Sequence, residues 1–118
     1  MTSTDKKVRS VPDVECVVDH AQAGLRVLEG RWKLVIVYHL FRHPVLRFSE
    51  LEKLIPGVTQ KMLIQQLRAL EADGVVARTA HPVVPPRVEY RLTEDGLGLR
   101  RAISALDQWT RSRSQPGL

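Results

Sequence analysis

SELEKLIPGVTQKMLIQQLRALEADG, residues 49–74, is the stretch that decides the fold. Ser49 opens it as S-x-x-E: its hydroxyl accepts a free backbone N–H at a helix start, while Glu52 reaches back to the Ser49 amide. Pro56 and Gly57 stop this short helix, which carries Leu51, Leu54 and Ile55 on its apolar face. Thr59 is a favoured cap for a second, longer helix, which continues to Asp73 and ends at Gly74. A short helix, a turn containing Gly57 and a longer helix form a helix-turn-helix.

The Thr59 helix divides by phase. With Leu63 at the centre of the buried face, Leu67 and Leu70 fall beside it at about 100° per residue. Lys61, Gln65 and Arg68 then lie on the opposite side, with Ala72 at the far end and Ile64 on the flank, and that face contains no acidic residue. Arg or Lys bonds the acceptors of guanine, Gln pairs with adenine and Ile64 suits a thymine methyl, so the face fits a DNA major groove. Thr59 and Gln60 are placed to bond phosphate with the positive end of the helix dipole behind them, and Ser49 joins them as a candidate contact at the start of the shorter helix. Taken alone, an outer helical face of Lys, Gln and Arg is most often merely solvated. The surrounding segments favour the DNA reading.

Beyond Gly74, the β-prone runs Val75 to Thr79 and Val88 to Leu92 flank His81, Pro82, Val83, Val84, Pro85 and Pro86, and read as a hairpin with a stiff tip. This is the wing of a mainly α, winged helix-turn-helix fold. Arg78, His81 and Arg87 are expected at or near its tip, where cations contact phosphate or enter a narrow minor groove. Arg87 either does so or pairs with Glu89. Thr93 caps a last helix with an apolar stripe of Leu99, Ala102, Ile103, Leu106 and Trp109, which bends or packs closely at Gly98.

On the N-terminal side, Val18, Ala21, Leu25 and Leu28 recur at helical spacing from Asp13 to Glu29, and Gly30 ends that helix. Trp32 to Phe41 is apolar on nearly every side. Composition alone allows a buried strand there, but the Trp32, Ile36, Leu40 spacing selects a buried helix before Pro44. Residues 1–12 read as a mobile basic tail, 13–110 as the domain and 111–118 as a second tail. Val18, Leu25, Ile103, Leu106 and Trp109 offer more apolar stripe on the terminal helices than one small domain easily buries, so a homodimer interface is expected there. The other reading folds Trp109 back onto Leu25 or Trp32 of its own chain.

The 118 residues fit one domain, and 43% apolar with 26% charged residues suits a globular chain with a core. A net charge of +5 draws polyanions. No apolar run approaches the ~20 residues of a spanning helix and the N-terminus lacks a secretory apolar core, so no membrane partner and a cytoplasmic location are expected. The one cysteine, Cys16, excludes an internal disulfide and multi-cysteine zinc sites. His39 and His43 are too few ligands for a metal, and no phosphate loop or nucleophile turn is present. Neither a cofactor nor an enzymatic activity is therefore expected.

Several runs carry a family resemblance: Gly30-Arg31-Trp32-Lys33, Arg47-Phe48-Ser49-Glu50-Leu51, Ile55 to Leu63, Gln66 to Gly74, and Val84-Pro85-Pro86-Arg87-Val88-Glu89-Tyr90. From about Cys16 to Trp109 the chain resembles the HxlR family of bacterial transcriptional regulators. That resemblance implies a winged helix-turn-helix homodimer, joined by its first and last helices, on a pseudo-palindromic operator. It also implies an effector, a small molecule or an oxidant. Family members often carry a cysteine at the start of the first helix, the position of Cys16, and some sense oxidants or electrophiles through it. Here Val17 stands where proline commonly follows. A helix N-terminus favours the thiolate while Asp13 and Glu15 oppose it, so Cys16 is either a redox switch or an inert thiol.

The function expected is thus a sequence-specific regulator that binds double-stranded DNA, a repressor by promoter occlusion. The alternative is a winged-helix module that holds a protein partner, against which the basic outer face argues.

Overall fold

The Thr59 hydroxyl accepts the Met62 amide at 3.1 Å, and behind that cap Gln60–Ala72 forms the central helix of the structure. Gly74 closes it with φ +76°, a left-handed conformation that costs glycine little. The computed structural model describes residues 14–113. In chain order the elements are α1 (Val14–Val27), α2 (Lys33–Arg42), β1 (Leu46–Arg47), α3 (Phe48–Leu54), α4 (Gln60–Ala72), β2 (Val76–His81), β3 (Arg87–Leu92), α5 (Glu94–Leu97) and α6 (Leu99–Arg113). The fold is the expected one, mainly helical with a β wing.

Leu63, Leu67 and Leu70 of α4 pack with Ile36, Val37 and Leu40 of α2, Leu51 of α3 and Ile55 just after it. Leu63 and Leu70 are wholly inaccessible, so each contributes about 1.5–3 kcal/mol of burial. The segment from Trp32 is therefore the helix that its spacing selects, but it is buried along one face only, since Leu34 and Tyr38 are exposed.

The sheet has three strands, ordered β1-β3-β2 and antiparallel throughout. Val76 pairs with Leu92, Arg78 with Tyr90 and His81 with Arg87, while β1 adds Leu46 opposite Tyr90 and Arg47 opposite Glu89. Thr93 locks the base of the wing: its hydroxyl donates to the Gly74 carbonyl at 2.6 Å and accepts the Gly96 amide at 3.0 Å.

Several expectations are corrected. Strand β1 has no counterpart in the sequence reading. Helix α3 begins one residue before Ser49, and its start is satisfied by Glu50, whose Oε1 accepts the Arg47 amide at 2.7 Å; Ser49 and Glu52 do not form the cap. The last helix is two helices, separated at Gly98 where a bend was expected. Helix α6 runs on to Arg113, three residues into the expected C-terminal tail, helped by the Arg111–Asp107 ion pair at 2.9 Å. The expected N-terminal tail, residues 1–12, lies outside the described residues.

Candidate nucleic-acid interface

Helix α4, the start of α3 and the wing enclose an open groove of about 1070 Å³. From α4 it takes Gln60, Ile64, Arg68 and Glu71, which recur at helical spacing and so share one face. The region before and within α3 supplies Arg47, Phe48, Ser49 and Glu52, and the wing supplies Arg78, Arg87, Val88 and Tyr90 together with the tip Val83 to Pro86. Four arginines thus face two glutamates across one concave surface, a balance suited to a polyanion.

Of the expected DNA contacts, the groove brings together Ser49, Gln60, Ile64, Arg68, Arg78 and Arg87. Thr59, Lys61 and Gln65 are exposed but do not line it. The acid-free character expected of the helix face does not extend to the groove, because Glu71 lies on the side of α4 that turns to the wing.

Arg78 is the clearest correction. It was expected at or near the hairpin tip, yet its pairing with Tyr90 places it within the ladder, while His81 and Arg87 form the last pair before the turn. Its guanidinium lies close enough to Tyr90 to act on the phenol through its charge. Burial pushes the Tyr90 phenol above its ordinary pKa of 10, and the Arg78 charge opposes that shift.

The alternative given for Arg87 is present as geometry: its Nε lies 3.4 Å from Glu89 Oε2. The other carboxylate oxygen of Glu89 lies 2.7 Å from His81 Nε2. Hydrogen bonding from His81 holds the Glu89 carboxyl below its ordinary range, with Arg87 and Arg47 acting in the same direction.

Arg47 is the groove cation that sequence reasoning missed. Its signal is the Arg47-Phe48-Ser49 run quoted for the resemblance, in which only Ser49 is assigned a DNA contact. The exposed tip residue Val84, 98% accessible, was likewise treated only as part of a stiff turn.

Neither α1 nor α6 contains a buried residue. Val18, Leu25, Leu106 and Trp109 are all exposed, the last at 60%, so Trp109 does not fold back into its own subunit. Ile103 differs from these four, being half-buried against the core of its own chain. Cys16 is exposed on α1 with its Sγ 3.6 Å from His20 Nδ1. Among the described residues no helix is long and apolar enough to cross a membrane.

Comparison with known proteins agrees with this geometry. Over 88 residues the chain is 51% identical to the HTH-type transcriptional regulator YtcD of Bacillus subtilis (strain 168), covering 75% of this chain and 69% of that one. Its fold is similar to that of the redox regulator HypR in its reduced form, with a TM-score of 0.73 and 40% identity over 80% of this chain and 93% of that one. A regulator of the MarR family from Enterococcus faecalis V583 superposes with a TM-score of 0.77 at 36% identity, covering 91% of this chain and 94% of that one. Residues 27–117 match the HxlR-like helix-turn-helix family. The chain therefore belongs to the HxlR-like helix-turn-helix family of transcriptional regulators.

Proposed function

We propose that this DNA-binding regulator is a homodimeric repressor, without enzymatic activity, that acts in the cytoplasm on a pseudo-palindromic operator. The observation that carries the proposal is the convergence of Gln60, Ile64 and Arg68 with Arg47, Arg78 and Arg87 around one open groove. Ile64, Arg68 and neighbouring Lys61 and Gln65 meet base edges in the major groove, while Ser49, Thr59, Gln60 and the wing arginines hold phosphate. The exposed apolar residues of α1 and α6 support the dimer, since a two-fold partner removes Val18, Leu25, Leu106 and Trp109 from water. Two α4 helices then address half-sites about one helical turn apart or a little more.

An oxidant is the effector class that best suits the exposed Cys16, a reading supported by the likeness to a redox regulator. Anisotropy titrations against the promoter beside its own coding region, at two ionic strengths, test the DNA reading: specific binding falls steeply with salt. Salt-independent binding, or none, counts against it. Sedimentation of the wild type and of Trp109→Glu tests the dimer, which the charged variant splits into monomers.

A further inference from the structure

An acidic residue on a DNA-facing wing repels phosphate and weakens binding unless it contributes something else. Glu89 belongs to the wing, beside the groove rather than in its lining, and lies with Thr79, His81 and Arg91. Its side chain is only 25% accessible, and both carboxylate oxygens are engaged: Oε1 with His81 at 2.7 Å and Oε2 with Arg87 at 3.4 Å. Its cross-strand neighbour is Arg47, a residue of another element that lines the same groove as Arg87.

We propose that Glu89 is a positioning residue for DNA binding: its carboxylate holds the Arg87 guanidinium so that one backbone phosphate reaches both Arg87 and Arg47. Three geometric facts carry this. Arg87 Nε is buried, without a hydrogen bond of its own, and faces Glu89, so the remaining donors of the guanidinium fork are those left to meet a ligand. Arg47 stands directly opposite Glu89 in the ladder, at the junction of β1 and α3, and acts on the carboxylate through its charge without forming an ion pair with it, while its own side chain lines the groove. His81 fixes the carboxylate from its other oxygen, which limits the rotations available to the side chain. The result is a phosphate clamp assembled across two elements.

This inference rests on the DNA-binding reading, and its test separates the two. Glu89→Gln keeps the shape of the side chain and raises the net charge by one unit above +5, so charge alone makes the variant bind DNA more tightly. Positioning requires the opposite. With a duplex selected from a random pool, and with an unselected duplex, E89Q is expected to lose about tenfold in affinity, and its log Kobs against log salt slope becomes shallower by about 1–2. In an R47A/R87A background E89Q is expected to cause no further loss, whereas a merely structural role keeps its cost there. Equal or tighter binding by E89Q, an unchanged slope, or a loss that persists without the two arginines overturns the proposal. A wild-type protein that binds neither duplex at low salt removes the DNA-binding reading, and this inference with it.

Discussion

Arg78 and Tyr90 stand directly opposite each other across the β2–β3 ladder, where the Arg78 charge favours the ionised form of a phenol that is only 7% accessible. Both residues line the open groove, so water can reach the hydroxyl when Arg78 is removed, and the pair is worth about 0.5–1 kcal/mol rather than the cost of an orphaned buried group. Arg78→Ala is therefore expected to destabilise the protein by about 0.5–1 kcal/mol, and to cost less in a Tyr90→Phe background. Urea unfolding of the two single variants and the double variant measures the coupling. Equal costs of R78A in both backgrounds would mean that the pair contributes nothing.

The same phenol gives a pH dependence. Its folded pKa is raised above the ordinary value of 10, chiefly by burial, so the folded state holds its proton more tightly than the unfolded state does. The resulting stability is fully present below pH 10 and is lost as pH rises through the raised folded value. Tyr90→Phe, which cannot ionise, is expected to unfold at a higher pH than wild type in an alkaline titration. Coincident alkaline transitions would contradict the assignment.

Gly96 and Gly24 separate two roles of the smallest side chain. A Cβ on the buried Gly96 would run into the Val75 carbonyl where the end of α4 meets the base of the wing, whereas nothing lies within 4 Å of a Cβ on Gly24. Gly96→Ala is expected to cost about 2–4 kcal/mol, since the obstacle is backbone and cannot turn aside. Gly24→Ala, within the exposed α1, gains up to about 1 kcal/mol of helix propensity. Thermal unfolding of both variants shows the opposite signs.

Local chemistry accounts for what was legible in the sequence. Thr59 bonds Met62 three residues away, Gly74 follows its helix immediately, and Leu63, Leu67 and Leu70 share a face by periodicity alone. What escaped depended on distant partners or on competition between near neighbours. Strand β1 is two residues long, too short for any alternation, and exists because β3 pairs with it. Glu50 and Glu52 both suit a helix start, and only the fold shows that Glu50 binds the Arg47 amide. The placement of Arg78 turned on a hairpin register that proline-rich tips do not specify. Asp107 and Arg111 stand four residues apart, a spacing that permits a helical pair, but it was outweighed by the polar composition beyond Trp109.

Base reading and phosphate holding are separable within the groove. Arg68 projects from the α4 face that meets the wing, while Arg87 closes the last pair of the hairpin. Arg68→Ala is expected to relax preference at one base pair by about 1–3 kcal/mol, and Arg87→Ala to weaken all sequences alike and reduce the salt slope by about 1. Gln65 lies beside the groove wall on α4, so Gln65→Ala is expected to relax preference less than R68A does. Selection from random DNA with each variant reads these outcomes directly. An unchanged motif for R68A would place the reading face elsewhere on α4.

Cys16 offers the last test, because it is exposed on a helix with no buried residue of its own and lies 3.6 Å from the His20 ring. If α1 joins two subunits, a thiol there can meet its two-fold mate or a small oxidant without unfolding the domain. Joining two thiols forms one S–S bond and sends two protons and two electrons to the oxidant, for which hydrogen peroxide serves as the probe. His20 Nδ1 is placed to accept the departing thiol proton, so His20→Ala is expected to slow oxidation without preventing it. Operator affinity of wild type is expected to change on mild peroxide treatment and to recover with dithiothreitol, while Cys16→Ser stays constant under both. Because Cys16 is the only sulfhydryl in the chain, a peroxide response that survives in C16S cannot arise from thiol chemistry and would sink the switch. So would a wild-type protein whose affinity is indifferent to oxidant.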